Sequence, residues 1–228
     1  MPRGTQSRGQ CAFCGYETTK GSMSKHLATC PQRKAQIASA AQVQRKPELL
    51  YHLRVQDAYA SAFWLDLEVR GSAKLSDIDA YLRAIWLECC GHLSRFSIGG
   101  GWQGQELAKT RRVDQVFRPD VELTHIYDFG TSSETRIKAV GQREGVPLTS
   151  RPMVLMARNL MPEAQCIECG QPATRLCMEC LIETESQGTL CEPHAASHPH
   201  EDYGEPGELF NSPRVGMCGY EGPAEPPY

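Results

Sequence analysis

Two clusters of cysteine and histidine dominate the chemistry open to this 228-residue chain. Near its start, CAFCGYETTKGSMSKHLATC sets Cys11 and Cys14 in a CxxC pair and His26 and Cys30 four residues apart. A CxxC turn aims two sulfurs at one point, and an i, i+4 pair puts two donors on one helix face. The four together predict a tetrahedral zinc site, with Met23 and Leu27 packing beneath the short helix. Near the end, CIECGQPATRLCMECLIETESQGTLCEPHAASHPH offers Cys166, Cys169, Cys177, Cys180, Cys191, His194, His198 and His200. Eight donors are enough for two further four-coordinate ions.

A catalytic zinc keeps a coordination position for water or substrate. Shells filled by four protein donors are structural, and binding on the order of 10 kcal/mol or more per site then becomes folding energy. Short polar segments without a core of their own need that staple. Three structural zinc ions are therefore expected, with no catalytic residue among their ligands. They absorb eight of the eleven cysteines and leave Cys89, Cys90 and Cys218. Metal is favoured over disulfides because MPRGTQSRGQ lacks the apolar core of a secretory signal and CxxC pairs in an intracellular chain bind metal. No run approaches the ~18 apolar residues of a membrane span. A cytoplasmic location follows as an expectation.

The elements that must carry these clusters lie between them. Apolar residues make up 40% of the chain, enough for one modest core, which the pattern places at about 48–160. Leu65, Leu67 and Val69 alternate with Asp66, Glu68 and Arg70, the period-two signature of a half-buried strand. In SDIDAYLRAIWLECCGHL, Ser76 and Asp79 approximate a capping box, Ile78, Leu82, Ile85, Trp86 and Cys89 keep helical spacing, and Gly91 is a stop. Apolar stretches at 92–98, 121–129, 135–140 and 152–158 read as strands parted by turns such as GGGWQG. One helix among several strands predicts an α+β domain. The expected plan is a C2HC finger at 1–30, a basic linker or weak helix at 31–47, the α+β domain at 48–160, a two-zinc module at 161–202, and an acidic Pro/Gly-rich tail or wrapping segment at 203–228.

Charge divides the same way. Residues 1–47 carry eight Lys/Arg against one Glu, a net +7; residues 166–228 carry two against eleven, a net −9. Opposite ends suit different partners. Arg3, Arg8, Lys20, Lys25, Arg33, Lys34, Arg45 and Lys46 could meet phosphate, with only Phe13 and Tyr16 to stack on bases.

Two resemblances extend this reading. The ligand spacing of 166–200 resembles B-box-type modules and, more distantly, RING-like and MYND-like cross-braces. That resemblance implies Cys166, Cys169, Cys191 and His194 on one ion, and Cys177, Cys180, His198 and His200 on the other. HPH departs from the pattern by separating its histidines with one proline, so Asp202 or Cys218 could replace one of them. LEVRGSAKLSDIDAYLRAIWLECCGHLSRFSI and THIYDFGTSSETRIKAVG resemble the plasmid "open reading frame three-like" family, known from a Ri plasmid and from transposon passenger genes, over roughly 50–160. NSPRVGMCGY resembles a tail on zinc-bearing members of that group. The resemblance implies a compact α+β domain of unestablished activity and a bacterial mobile-element setting. Where many members follow YDFG with an Asp, an aromatic and a His, this chain has Thr131, Ser133 and Thr135.

Chemistry in the core finds little further support. Asp128 in YDFG reads as a strand-end carboxylate binding a backbone N–H. Cys89 and Cys90, near His92 and His125, read as small apolar filler. GGGWQG has no following Lys-Ser/Thr and is no phosphate loop. The expectation is a non-enzymatic zinc-binding accessory or adaptor protein. Its basic finger would contact nucleic acid and its C-terminal module a protein partner, with no membrane and no small-molecule substrate. A pure protein–protein adaptor and an enzyme of unknown reaction are the alternatives.

Overall fold

The computed structural model describes residues 7–88, 90–118, 120–184, 186–199, 202–220, 222 and 224–228. Arg3, Cys89 and His200 lie outside the described residues. Among these residues no helix is long and apolar enough to cross a membrane.

Nine antiparallel strands form one sheet: β1 (Arg8–Cys11), β2 (Glu17–Thr19), β3 (Glu48–Asp57), β4 (Trp64–Arg70), β5 (Ser94–Ile98), β6 (Gln105–Leu107), β7 (Glu122–Tyr127), β8 (Ser133–Gly145) and β9 (Met153–Asn159). Their order is β2-β1-β9-β4-β3-β8-β7-β5-β6. The four strands expected from the apolar stretches are present as β5, β7, β8 and β9. The first two strands belong to the N-terminal cysteine segment, whose β1 pairs with β9, Gly9 opposite Asn159 and Cys11 opposite Ala157.

One face of the sheet buries Leu53, Val55, Leu65, Leu67, Val69, Leu123 and Ile137. Against them pack Leu75, Ile78 and Leu82 of α3 (Leu75–Leu82) and Ile85 and Trp86 of the wider π turn Arg83–Leu87 that follows it. The helix starts two residues earlier than its sequence signals imply, capped at Lys74 and not Ser76. Asp77, not Asp79, reaches back to the Lys74 N–H at 2.8 Å. Asp79 is instead buried in the fold.

The opposite face explains a second departure. The strand expected to be half-buried is covered on both sides: Asp66 and Glu68 are as inaccessible as Leu65 and Leu67. Above them lie α1 (Lys20–Thr29) and α2 (Pro31–Ala41), a regular helix where a linker or weak helix was expected. Buried carboxylates need partners, and each has them. Arg54 grips Asp66 with two 2.8 Å bonds and His52 adds a third. Arg33 of α2 and Arg143 of β8 both bind Glu68, at 2.8 and 2.6 Å. Period-two alternation therefore marks two different interfaces here, one apolar and one ionic.

After Asn159 the chain forms a small three-stranded sheet, β11-β10-β12, from β10 (Arg175–Leu176), β11 (Thr189–Leu190) and β12 (Gly207–Glu208). Beyond the short α4 (Val113–Val116) of the main domain, two further helices, α5 (Met178–Glu183) and α6 (Glu192–Ala195), complete that region. The last residues then return to the main domain. Ser212 donates to the Trp86 carbonyl at 2.6 Å, Asn211 exchanges bonds with Asn159, and the Tyr228 ring meets Tyr81 edge-on at 5.4 Å. The acidic segment is a wrapping one, as its turn residues allowed.

Candidate metal centres

The N-terminal donors are assembled by β1, its turn and α1. The Gly15 N–H closes on the Cys11 carbonyl at 2.9 Å with Gly15 at φ +72°, the tight bend that brings Cys14 back beside Cys11. His26 and Cys30 arrive from the last turn of α1, whose Met23 and Leu27 are buried beneath as expected. All four donor atoms lie within 4.8 Å of one another. Cys14 Sγ stands 3.3 Å from His26 Nε2. Around a tetrahedral zinc with bonds of about 2.3 Å to sulfur and 2.0–2.1 Å to nitrogen, that edge is about 3.5 Å. Burial pushes the Cys11 thiol up to about 11, with Cys14 adding to the rise. Ligation there must therefore expel a proton, which the cation makes favourable.

In the C-terminal region Cys166 and Cys169 come from the turn before β10, and Cys191 and His194 from the start of α6. Their donors also lie within 4.8 Å of one another. Cys169 Sγ and Cys191 Sγ are 3.7 Å apart, and Cys166 Sγ and His194 Nδ1 3.5 Å. Cys177, Cys180 and His198 gather separately, with the Cys180 N–H directed at Cys177 Sγ in the manner of a thiolate-binding knuckle. Cys180 Sγ and His198 Nε2 are 2.9 Å apart. The expected fourth ligand of this group, His200, falls outside the described residues. First and third pairs thus meet, and the second meets His198 of the fourth, the interleaving a cross-brace requires of the described donors. No disulfide joins the ten described cysteines. The donor sets, three thiolates with one imidazole in each complete group, suit zinc.

A further group contains three residues left outside the expected sites: Cys90, His92 and Cys218. Cys90, expected as apolar filler, is exposed instead, and Cys218, offered as a substitute ligand beside Cys177 and Cys180, stands with Cys90 and His92. Their separation of 128 positions hid their meeting, because only the return of the tail creates it.

The eight basic residues proposed for phosphate contact are placed unevenly. Arg8, Lys25, Lys34, Arg45 and Lys46 are exposed. Lys20 donates to Gln56 Oε1 at 2.7 Å and to the Ser61 carbonyl, and Arg33 is held by Glu68 and the Leu27 carbonyl. Those two point inward to hold α1 and α2 on the sheet. Tyr16 is exposed and stacked on His26, while Phe13 packs against the N-terminal cluster. A cavity of about 220 Å³ between α1 and the sheet is lined by Arg33, Glu68 and Arg143, which are already paired with one another.

No protein-family model and no curated protein matches the chain. A crystal structure of a protein of unknown function, MM3350 from Methanosarcina mazei Go1, is similar at 16% identity and a TM-score of 0.42, over 49% of this chain and 69% of that one.

Proposed function

We propose that this is a non-enzymatic accessory protein held together by structural zinc, acting as an adaptor through its C-terminal module and meeting nucleic acid through its N-terminal finger. The observation that carries it is the pair of complete four-donor groups, Cys11/Cys14/His26/Cys30 and Cys166/Cys169/Cys191/His194. An ion in such a shell has no place for a substrate. The C-terminal module offers a partner the exposed Ile167 and Ile182 within its acidic surroundings, which fits a basic protein with an apolar contact. The likeness to plasmid-borne sequences fits a role in a mobile-element system.

The nucleic-acid arm draws on Arg8, Lys25, Lys34, Arg45 and Lys46, all exposed. Phosphate contacts release counterions, so affinity for a random-sequence duplex should fall steeply with salt. The test is duplex binding by the full chain across a salt series, beside Lys25→Glu/Lys34→Glu. Salt-sensitive affinity lost in the double variant supports the arm. Affinity that is absent, or insensitive to both salt and charge reversal, removes it. The inward turn of Lys20 and Arg33 favours the narrower alternative, a pure protein–protein adaptor.

A further inference from the structure

Three segments distant in sequence, ECCGH, YDFG and NSPRVGMCGY, converge at one spot beside the main sheet. Cys90 and His92 lie in the connection between the π turn and β5, and Cys218 comes from the returning tail. Cys90 Sγ is 3.7 Å from Cys218 Sγ, and His92 Nε2 is 3.3 Å from the same sulfur. These are the edges expected of two thiolates and an imidazole around one ion with metal–donor bonds of about 2.0–2.3 Å.

The backbone is bent to produce this meeting. Among the described residues only Asp120, Asp128 and Cys218 have a left-handed φ without being glycine, and two of the three are here, at 64° and 51°. Gly91, between the paired donors, is at φ 68°. Left-handed non-glycine residues cost energy and persist where the surroundings fix them. Arg214 supplies that constraint four residues before Cys218. It is fully buried, bonds Asp128 Oδ2 at 2.9 Å, and reaches the Ser133 hydroxyl and Thr131 carbonyl. Asp128 also accepts from the Gly130 N–H at 2.9 Å, which leaves it as an anionic neighbour 3.5 Å from His92 Nε2.

We propose that Cys90, His92 and Cys218, the three donors that meet here among the described residues, form a fourth metal site, which binds Zn²⁺ and takes a further ligand from a small exogenous donor, water or a thiol or imidazole solute. The ion would clasp the C-terminal segment onto the sheet domain. The site differs from the others in its setting. Cys90 and Cys218 are both exposed, whereas in the complete groups only Cys169 is, and Cys11 and Cys30 are about 1% exposed. Three donors of the Cys₂His type with solvent access leave an ion open to exchange. Soft thiolates select Zn²⁺ over Mg²⁺ or Ca²⁺. An open position of this kind is what a catalytic zinc keeps, so a loaded site here would favour the enzyme alternative over the non-enzymatic reading.

The test uses the full chain loaded with zinc. Native mass spectrometry should find one ion fewer in Cys218→Ser and in Cys90→Ser than in the wild type, and no loss in Cys89→Ser. With Co²⁺ in place of zinc, added imidazole should shift part of the thiolate-to-metal absorption in the wild type but not in Cys90→Ser. Zinc returned to stripped protein should slow amide exchange across 214–220 in the wild type and fail to do so in Cys90→Ser, a change that does not touch the tail. Near-UV circular dichroism checks that each variant is folded; if Cys218→Ser is not, the Cys90→Ser arms decide. Equal ion counts in wild type and Cys90→Ser would sink the site. A Cys90–Cys218 disulfide in the isolated protein would do the same. Loss of an ion in Cys89→Ser, or an imidazole-silent cobalt spectrum, would overturn the exchangeable position.

Discussion

Asp79 shows how little a single carboxylate's sequence position reveals. In a helix-start pattern it reads as a capping residue, yet its oxygens accept from His125 Nε2 at 2.7 Å, Ser94 at 2.6 Å and Lys109 at 3.1 Å. Burial opposes its charge, but the hydrogen bonds from His125 and Ser94, then Lys109, hold its pKa well below the usual carboxylate range. Asp66 is held down likewise by His52 and Arg54 against its burial. The pKa of His125, wholly enclosed, is lowered too: burial disfavours its charged form, against the pull of Asp79. The signs give two losses on acidification. An unfolded histidine takes up a proton below about 6.5 and the folded one resists it, so stability declines as pH drops through that value. The depressed carboxylates contribute fully above about 3.9 and lose their contribution as pH falls below it toward their folded values. Urea midpoints measured from pH 8 to 3 should therefore fall in two stages. His125→Gln should remove the upper stage and shrink the lower, leaving the share of Asp66.

Among the elements, strands were legible and their far-side covering was not. The alternation in 64–70 correctly predicts a strand, because one face is apolar. Nothing in a period of two says that Asp66 and Glu68 will be roofed by α1 and α2, since their arginine partners lie up to 75 residues away. The metal knuckles were legible for the opposite reason, as their ligand pairs are local. Two expectations follow for the N-terminal strand. A Cβ on Gly9 would meet Trp64 Cζ2 at 2.3 Å and the Arg158 carbonyl at 2.4 Å. Gly9→Ala should thus push β1 off β9 and cost about 1–3 kcal/mol, the range for overpacking, read by chemical denaturation. Trp64 packs in one cluster with Cys11, Met23, Leu27 and Cys30. Stripping metal from that group should change Trp64 emission, and Trp64→Phe should abolish the change while Trp86→Phe preserves it.

At the level of the whole molecule, the acidic C-terminal segment is where composition misleads most. Its Pro and Gly content resembles that of a free tail, yet Arg214 is enclosed against Asp128 and its guanidinium lies 4.7 Å over the Tyr127 ring. Removing one partner of a buried ion pair strands the other, at about 3–5 kcal/mol. Arg214→Met should cost that much in equilibrium unfolding, whereas exposed Arg136 to Met should change little. The few side chains that anchor the segment, Asn211, Ser212, Arg214 and Tyr228, are individually ordinary. Only the tertiary partners reveal them.

Strand β9 is gripped by two segments far apart in sequence. It pairs with β1, while its Arg158 donates to the carbonyls of Asn211 and Ala224. The second grip also brings Ser212 onto the Trp86 carbonyl and Arg214 onto Asp128. A protease nick that freed this segment would therefore leave Trp86 and Asp128 without those partners.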